Sequence, residues 1–260
     1  MISVIISIYK RLDNLELILQ GLSKQTFKDF EVIISEDNNA ADTIEFLTDA
    51  RKRFNFTIKH VSQEDIGFRK TRILNKAVVM AKGEYLVFLD GDCVPEKHWL
   101  KAYNKYLTPD NVCMGRRCFL KKKLTDTLLR KRTLNSLNTI NILLNSSRAE
   151  LGIYMPFLKN GKNHRKILGC NWGVSRQTLL DINGFDEDYT IAGVGEDHDI
   201  DWRLRKKGLT FLNIKHSVVV YHLYHKANYS ESDTKAVNDI MNEKKREGLI
   251  VCKNGIKKYN

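Results

Sequence analysis

Two aspartates that follow an apolar strand are the first candidates for chemistry in this sequence. Tyr85 to Leu89 is an apolar run of strand length, and Asp90 and Asp92 follow it with Gly91 between them. Strands that are apolar on both faces belong to sheets covered by helices, and ligands of α/β folds bind beyond the carboxyl ends of such strands. The two carboxylates could hold a divalent cation whose remaining positions bind a diphosphate, with Gly91 allowing close approach of the backbone. The plainer interpretation is an Asp-Gly turn, because an Asp-x-Asp pair alone is common.

Two histidines near the end of the last apolar strand are a second metal-binding candidate. His222 and His225 lie three residues apart and could face one point if the chain turns there. Imidazole is a common metal ligand. Without other signals, two histidines at this spacing are more often ordinary surface residues than metal ligands.

A run of acids forms a third group. Glu196, Asp197, Asp199 and Asp201 follow the glycine-rich segment 192–195 and enter a helix that continues through Leu204. A helix N-terminus favours one or two acids as caps. Four acids exceed what capping requires.

Basic residues and one aromatic residue gather at the start of another predicted helix. Phe68, Arg69, Lys70 and Arg72 precede an apolar helical face that ends at Ala81. Backbone donors and the helix dipole favour anions at such a terminus, and an aromatic ring beside them suits a nucleotide. The alternative is an amphipathic helix with a solvated basic side.

Alternating strands and helices must position these groups. The pattern predicts a βαβ start and hence a parallel sheet. Asp37, after the second strand, could bond a base or ribose or form an Asx turn. The predicted strands of this half are Ile2 to Ile8, Phe30 to Ser35, Thr57 to Val61, the Tyr85 strand and Asn111 to Leu120, with a helix starting at Pro95.

The second half adds a basic segment and a charged end. Residues 120–166 carry clusters of lysine and arginine around leucines and are predicted to be mostly helical. This segment is either a solvated helical face or a surface for an anionic acceptor or the inner face of a membrane. Residues 227–260 are predicted to form a charged helix and a basic tail.

Size and composition predict a cytoplasmic globular enzyme or binding module. The 260 residues are 42% hydrophobic, enough for one large domain. No apolar run is long enough to cross a bilayer, and Lys10 and Arg11 interrupt the apolar start, unlike a secretory signal. Five cysteines without metal-finger spacing favour reduced thiols.

The net charge of +12 indicates an anionic partner. Nucleic acid ranks lowest, because no nucleic-acid-binding motif accompanies the charge. A dinucleotide-dependent oxidoreductase would need Gly-x-Gly-x-x-Gly after the first strand, which is absent from the sequence. A nucleotidyltransferase, lacking a glycine-rich phosphate signature here, and a non-catalytic polyanion-binding module remain as alternatives.

Several ordered motifs together resemble one family. Residues 4–34 resemble the opening of family-two glycosyltransferases of the GT-A fold, and residues 83–93 resemble their metal-binding strand. Residues 68–75 and 195–199 resemble the nucleotide segment and acidic loop of galactosyltransferase family seven and its bacterial chondroitin-polymerase relatives. The resemblance covers residues 1–226 and implies a single catalytic domain of α/β class with a Rossmann-like, mostly parallel nucleotide-binding sheet. The helical insertion 120–166 would lie on the acceptor side.

The resemblance implies an inverting transfer of a hexose or N-acetylhexosamine, with Asp197 as base and Glu196 orienting the acceptor. The donor would be a nucleotide sugar, with UDP expected, and the acceptor a hydroxyl of a glycan or lipid-linked molecule in bacterial-type surface polysaccharide synthesis. The cation would be Mn²⁺ or Mg²⁺. The implied metal ligands are Asp92, His225 and His222; the nucleotide contacts are Ser7, Tyr9, Asp37, Phe68, Lys70 and Asp90; the acceptor contacts are Trp172, Gly195 and Asp199.

The sequence departs from the family pattern at two places. The tryptophan usual in the glycine-rich loop is Gly193 or Val194 here, which leaves the acceptor open. The methionine usual before the metal histidine is His222, so one or two imidazoles could bind. The sugar is also left open, because a few pocket contacts decide it.

Overall fold

The computed structural model describes residues 1–158, 161–162, 166–191, 195–226 and 231–259, without the side chains of Lys162 and residues 231–236. The strands are β1 (Ile2–Ile8), β2 (Phe30–Glu36), β3 (Thr57–Ser62), β4 (Tyr85–Asp90), β5 (Cys93–Pro95), β6 (Asn111–Met114), β7 (Arg116–Leu120), β8 (Ser146–Ser147), β9 (Gly161–Lys162), β10 (Trp172–Ser175), β11 (Thr210–Asn213) and β12 (Val219–His222). The α-helices are α1 (Leu12–Ser23), α2 (Ala41–Arg53), α3 (Lys70–Met80), α4 (Trp99–Tyr106), α5 (Lys122–Lys131), α6 (Thr139–Leu144), α7 (Arg176–Asp181), α8 (Gly195–Lys206) and α9 (Glu231–Glu247).

Within these residues the main sheet runs in the order β3-β2-β1-β4-β10-β6-β11-β9. Strands β10 and β9 run against their neighbours, and the other neighbouring pairs are parallel. The chain passes outward from β1 to β3 and then returns to place β4 on the other side of β1. Ligand crevices of open α/β sheets form at such a reversal, beyond the carboxyl ends of the strands. The predicted mostly parallel α/β sheet is confirmed.

Strand β1 is apolar on both faces because each face packs into a different core. Val4 and Ile6 lie in one apolar cluster, and Ile5 lies in the cluster on the other side of the sheet. This alternation follows from the two-residue period of a strand. The carboxyl end of β1 is thereby fixed between two packed layers.

A second, smaller sheet corrects the prediction of one strand from Asn111 to Leu120. Strand β6 joins the main sheet, whereas β7 joins a sheet of order β5-β12-β7-β8. The chain changes sheets at Gly115, where the Asn171 side chain donates hydrogen bonds to the carbonyl oxygens of Arg116 and Val218. Such a long-range amide contact has no local sequence signal.

Pro95 also differs from its prediction, because it ends strand β5 instead of starting a helix. It pairs with Val220 of β12 at the edge of the small sheet, and α4 begins only at Trp99. Proline fits an edge strand because its missing N–H leaves no ladder bond unmade. The small sheet places Cys93 opposite His222.

Segment 120–166 contains helices, as predicted, but also short strands. Strand β8 joins the small sheet and β9 the main sheet. Helix α5 is tied to the residues after β12, because the Tyr224 backbone N–H donates to Thr125 Oγ1 at 2.9 Å. Ile140, Leu143 and Leu144 of α6 are exposed.

The end of the chain packs onto the preceding residues. Lys244 of α9 contacts the carboxylates of Asp186 and Asp188, and Cys252 and Ile256 are buried. No helix among the described residues is both long and apolar enough to span a bilayer.

Candidate active site

Asp90 is held at the crevice between β1 and α3. It lies beside Ser7 in the register of β1 and β4, and Ser7 Oγ donates to Asp90 Oδ1 at 3.1 Å. Lys70 Nζ, at the start of α3, lies 2.9 Å from the same oxygen. A Cβ on Gly91 would lie 2.7 Å from the Ser7 carbonyl oxygen. Gly91 is therefore required by close packing against β1, and its role in ligand approach stays a prediction.

Asp92 meets both histidines on the other side of the crevice. His225 Nε2 lies 3.0 Å from Asp92 Oδ2, and His222 Nε2 lies 3.4 Å from the same oxygen. Strand β12 brings His222 to this position, and the Leu223 backbone N–H fixes the turn by donating to the Asp92 carbonyl at 2.8 Å. The structure thus brings together the three side chains predicted to bind metal.

The chemistry of these donors fits a divalent cation. Burial would raise the pKa of Asp92, but the hydrogen bond from His225 and the charge of His222 outweigh it and lower the pKa to about 2. Burial lowers the pKa of His222, which favours the neutral imidazole that binds metals. Cys93 Sγ donates to Asp92 Oδ1 at 3.2 Å, and burial raises its pKa well above the ordinary value, so it acts as a thiol donor. A carboxylate with two imidazoles suits Mn²⁺ better than Mg²⁺.

A second acidic group faces Asp90 from helix α8. Lys70 Nζ lies 3.6 Å from Glu196 Oε1, so one ammonium links Asp90 to the acids of α8. Glu196 is buried, and its Oε2 has no hydrogen-bond partner among the described residues. A buried carboxylate oxygen without a partner can accept a bond from a ligand.

Asp197 is buried next to Glu196 and is held by the backbone of Gly169. The Gly169 N–H donates to Asp197 Oδ2 at 2.7 Å, and a Cβ on Gly169 would lie 2.5 Å from Asp197 Oδ1. Burial and the charge of Glu196 raise the pKa of Asp197 to about 7, although Lys70 acts in the opposite direction. A carboxylate with such a pKa can accept a proton near neutral pH.

The residues predicted to bind the base are placed along the loop before α3. Asp37 accepts bonds at 2.7 Å from Gln63 Nε2 and from the Arg69 backbone N–H, so it fixes this loop. Tyr9 is 51% exposed, and its hydroxyl donates to Asp65 at 3.1 Å. Phe68 is partly exposed beside Lys70.

The three residues predicted to contact the acceptor pack closely against other protein groups. Trp172 is 1% exposed and stacks on Phe88 with ring centroids 4.5 Å apart. Asp199 is buried in an ion pair of 2.7 Å with Arg203. Gly195 packs so closely on Tyr189 that a Cβ would lie 2.5 Å from its ring. Contact with an acceptor stays a prediction for these three residues, and Gly193 and Val194 lie outside the described residues.

Comparison with known proteins decides the family. The model of "Glycosyl transferase family 2" matches residues 3–177, more than half of the chain. The chain belongs to glycosyl transferase family 2. A second model, described as "N-terminal domain of galactosyltransferase", matches residues 150–226 of this glycosyltransferase. The dinucleotide-dependent, nucleotidyltransferase and non-catalytic alternatives are thereby set aside.

Relatives of this glycosyltransferase include polysaccharide synthases. Chondroitin synthase of Escherichia coli is 27% identical over 92% of this chain and 37% of its own length. Chondroitin synthase of Pasteurella multocida is 25% identical over 92% of this chain and 26% of its own length. The chain therefore spans well under half of these relatives.

A solved structure confirms the GT-A fold. GalNAc-T7, solved with UDP, GalNAc and Mn²⁺, matches with a TM-score of 0.67 at 14% identity, covering 94% of this chain and 47% of that one. At this identity the likeness concerns the fold alone.

Sequence reasoning missed several neighbours of the site in this glycosyltransferase. Arg117 Nη1 lies 3.5 Å from Cys170 Sγ, and Cys170 follows the Gly169 that holds Asp197. Cys93 Sγ donates a hydrogen bond to Asp92 Oδ1. Gly169 directly before Cys170 was the available sequence signal. Its role was not predictable, because it contacts Asp197 of α8, 28 residues later.

Proposed function

We propose that this glycosyltransferase is a metal-dependent, inverting enzyme that transfers a hexose or N-acetylhexosamine from a nucleoside diphosphate sugar, with UDP as the nucleotide. The observation that carries the proposal is the arrangement around Asp90. Asp92, two residues after Asp90, contacts His222 and His225, and Lys70 links Asp90 itself to Glu196 of α8. A metal-binding group and a proton acceptor near Asp90 would together supply what glycosyl transfer requires.

Asp92, His222 and His225 would hold the cation. When bound, it would offset the negative charge that grows on the departing diphosphate. The two imidazoles lie 3.0 Å and 3.4 Å from one carboxylate oxygen of Asp92, so the three donors are already close together without the metal. Mn²⁺ is the preferred ion in this proposal because its ligands include imidazole nitrogen.

Asp197 would accept the proton of the attacking hydroxyl. Its raised pKa, about 7, gives a carboxylate that is a stronger base than an exposed one and still largely ionised above neutral pH. Glu196 would orient the acceptor through its unpartnered Oε2. Attack from this side, opposite the departing diphosphate, would invert the anomeric carbon.

The nucleotide would lie along β1 and the loop before α3. Asp90 would contact the ribose, with Ser7 and Lys70 fixing its carboxylate. Tyr9 and Phe68 would flank the base. Asp37 could join them, because each carboxylate oxygen can accept a further hydrogen bond beside those from Gln63 and Arg69.

The relatives support polysaccharide synthesis with a glycan or lipid-linked acceptor. Two of them are named chondroitin synthase, and GalNAc-T7 was solved with UDP and Mn²⁺. The cysteines, all of which are described, are buried and free, which fits a reducing, cytoplasmic compartment. We further propose contact with an anionic membrane through the exposed apolar residues of α6 and the neighbouring lysines 121–123.

Calorimetry tests this function directly. We expect UDP to release heat on binding in MnCl₂, and we expect chelation of the metal to remove most of that heat. Hydrolysis of a panel of UDP- and GDP-sugars then identifies the donor. Absence of UDP and GDP binding with Mn²⁺ would contradict the proposal.

A further inference from the structure

Arg117 lies between the two halves of the proposed active site. Strands β7 and β12 pair in register, so Arg117 and Phe119 are on the same sheet face as His222. The guanidinium carbon lies 5.0 Å from the centre of the Phe119 ring, which in turn lies 5.2 Å from the His222 ring. On the other side, Arg117 Nη1 contacts Cys170, the residue after Gly169.

This guanidinium lacks an anionic partner in the part of the chain that the structure describes. Its Nε is buried without a hydrogen-bond partner, and its other contacts are a thiol and an aromatic face. By contrast, two cations among the described residues have acidic partners, since Arg203 lies 2.7 Å from Asp199 and Lys70 lies 2.9 Å from Asp90. A partly buried charge without an acidic partner lowers stability, so its presence indicates a role that folding does not supply.

The nearby acid Asp90 does not fill this role. Its Oδ1 already receives bonds from Lys70 and Ser7, and no ion pair with Arg117 is formed among the described side chains. Arg117 is therefore free to bind an anionic group of a ligand that lies near Asp90.

We propose that Arg117 binds an anionic oxygen group of the substrate inside the crevice. A guanidinium matches the two oxygens of a phosphate or a carboxylate, and such charge-assisted bonds are stronger than neutral ones. The group is either the terminal phosphate of the nucleoside diphosphate or a carboxylate on the transferred sugar. The inference rests on the proposed function, because it assumes that a nucleotide sugar occupies this crevice.

The test measures affinities of four ligands for wild-type and Arg117→Met protein in MnCl₂. The ligands are UMP, UDP, UDP-glucose and UDP-glucuronate, and Arg130→Met, which removes the same charge from an exposed position of α5, is the control. If Arg117 contacts the terminal phosphate, UDP affinity falls about 10- to 100-fold while UMP affinity is unchanged. If it contacts a sugar carboxylate, the variant loses a wild-type preference for UDP-glucuronate over UDP-glucose. Arg117→Lys should retain part of either effect, because it keeps the charge without the planar fork.

Thermal unfolding separates this role from a structural one. Removing a partly buried charge that has no acidic partner should leave the Tm of the ligand-free protein unchanged or raise it. Wild-type affinity of Arg117→Met for all four ligands would overturn the inference, as would a lower Tm with equal loss of UMP and UDP affinity. Failure of the wild-type protein to bind any of the ligands would instead contradict the proposed function.

Discussion

At the scale of single residues, Lys70 sets how the acids of the crevice share charge. Burial would lower the pKa of Lys70, but Asp90, Glu196 and Asp197 raise it well above its ordinary value. Lys70 is within 2.9 Å of Asp90 and 3.6 Å of Glu196. For Asp197, Lys70 lowers the pKa less than burial and the charge of Glu196 raise it, so its pKa is raised. One of the three acids thus remains able to take a proton near neutral pH.

The rate of transfer should therefore depend on the ionisation of Asp197. Since the active form is the carboxylate, we expect kcat/KM to fall as the pH is lowered through about 7, the pKa of Asp197, by about tenfold per pH unit below it. Asp197→Asn should lower kcat by about 10² to 10⁴ and abolish this pH dependence, with UDP affinity nearly unchanged. A pH profile of transferred sugar checks both, and an equal loss of UDP affinity would show that α8 was misassigned.

The metal group permits a second test at the same scale. Asp92→Ala removes the oxygen that both imidazoles approach, so we expect metal-dependent UDP binding and transfer to be lost together. Asp92→Asn keeps the size of the side chain and should lose most of the same function, because the charge is gone. Asp126→Ala, at an exposed position of α5, is the matched control. Calorimetry with and without chelator measures the effect, and full wild-type activity in chelator would rule out a metal role.

At the scale of elements, the strands that end at the crevice could be predicted from the sequence, whereas the distant residues that pack against them could not. The apolar runs of β1 and β4 and the acids after β4 follow local periodicity, which a sequence displays directly. The switch of sheets at Gly115 depends on Asn171, which lies more than fifty residues later. For the same reason the burial of Trp172 against Phe88 was not predictable, because it comes from antiparallel pairing of β10 with β4.

The link between the segment before β10 and helix α8 can be tested at Gly169. A Cβ there would lie 2.5 Å from Asp197 Oδ1, so Gly169→Ala should displace the carboxylate or break its bond to the Gly169 N–H. We expect kcat to fall about tenfold or more with UDP affinity retained. Gly161→Ala, where none of the described residues lies within 4 Å of the added carbon, is the control. Unchanged kcat in Gly169→Ala would show that Asp197 tolerates the shift.

At the scale of the whole molecule, the basic insertion is connected to the catalytic crevice. Thr125 of α5 accepts a bond from Tyr224, the residue before His225. Lys121 Nζ lies 3.3 Å from the carbonyl oxygen of Leu144, so the lysines that begin α5 adjoin the exposed apolar end of α6. The resemblance predicted the fold and placed this segment on the acceptor side, but the net charge of +12 allows several anionic partners. Exposed leucines beside lysines favour a lipid surface among them.

Membrane contact should then depend on both the apolar residues and the lipid charge. Ile140, Leu143 and Leu144 are 70%, 53% and 67% exposed, although apolar side chains on a monomer are usually covered when they cluster. We expect the wild-type protein to sediment with vesicles that contain phosphatidylglycerol and not with pure phosphatidylcholine vesicles, because nearby lysines attract anionic headgroups. Leu143→Ser combined with Leu144→Ser should abolish sedimentation while leaving UDP affinity intact, whereas Ile44→Ser, at an exposed apolar position of α2, should sediment like the wild type. Sedimentation of the double variant equal to that of the wild type would exclude α6 as the contact. Equal binding to neutral vesicles would exclude the role of the lysines.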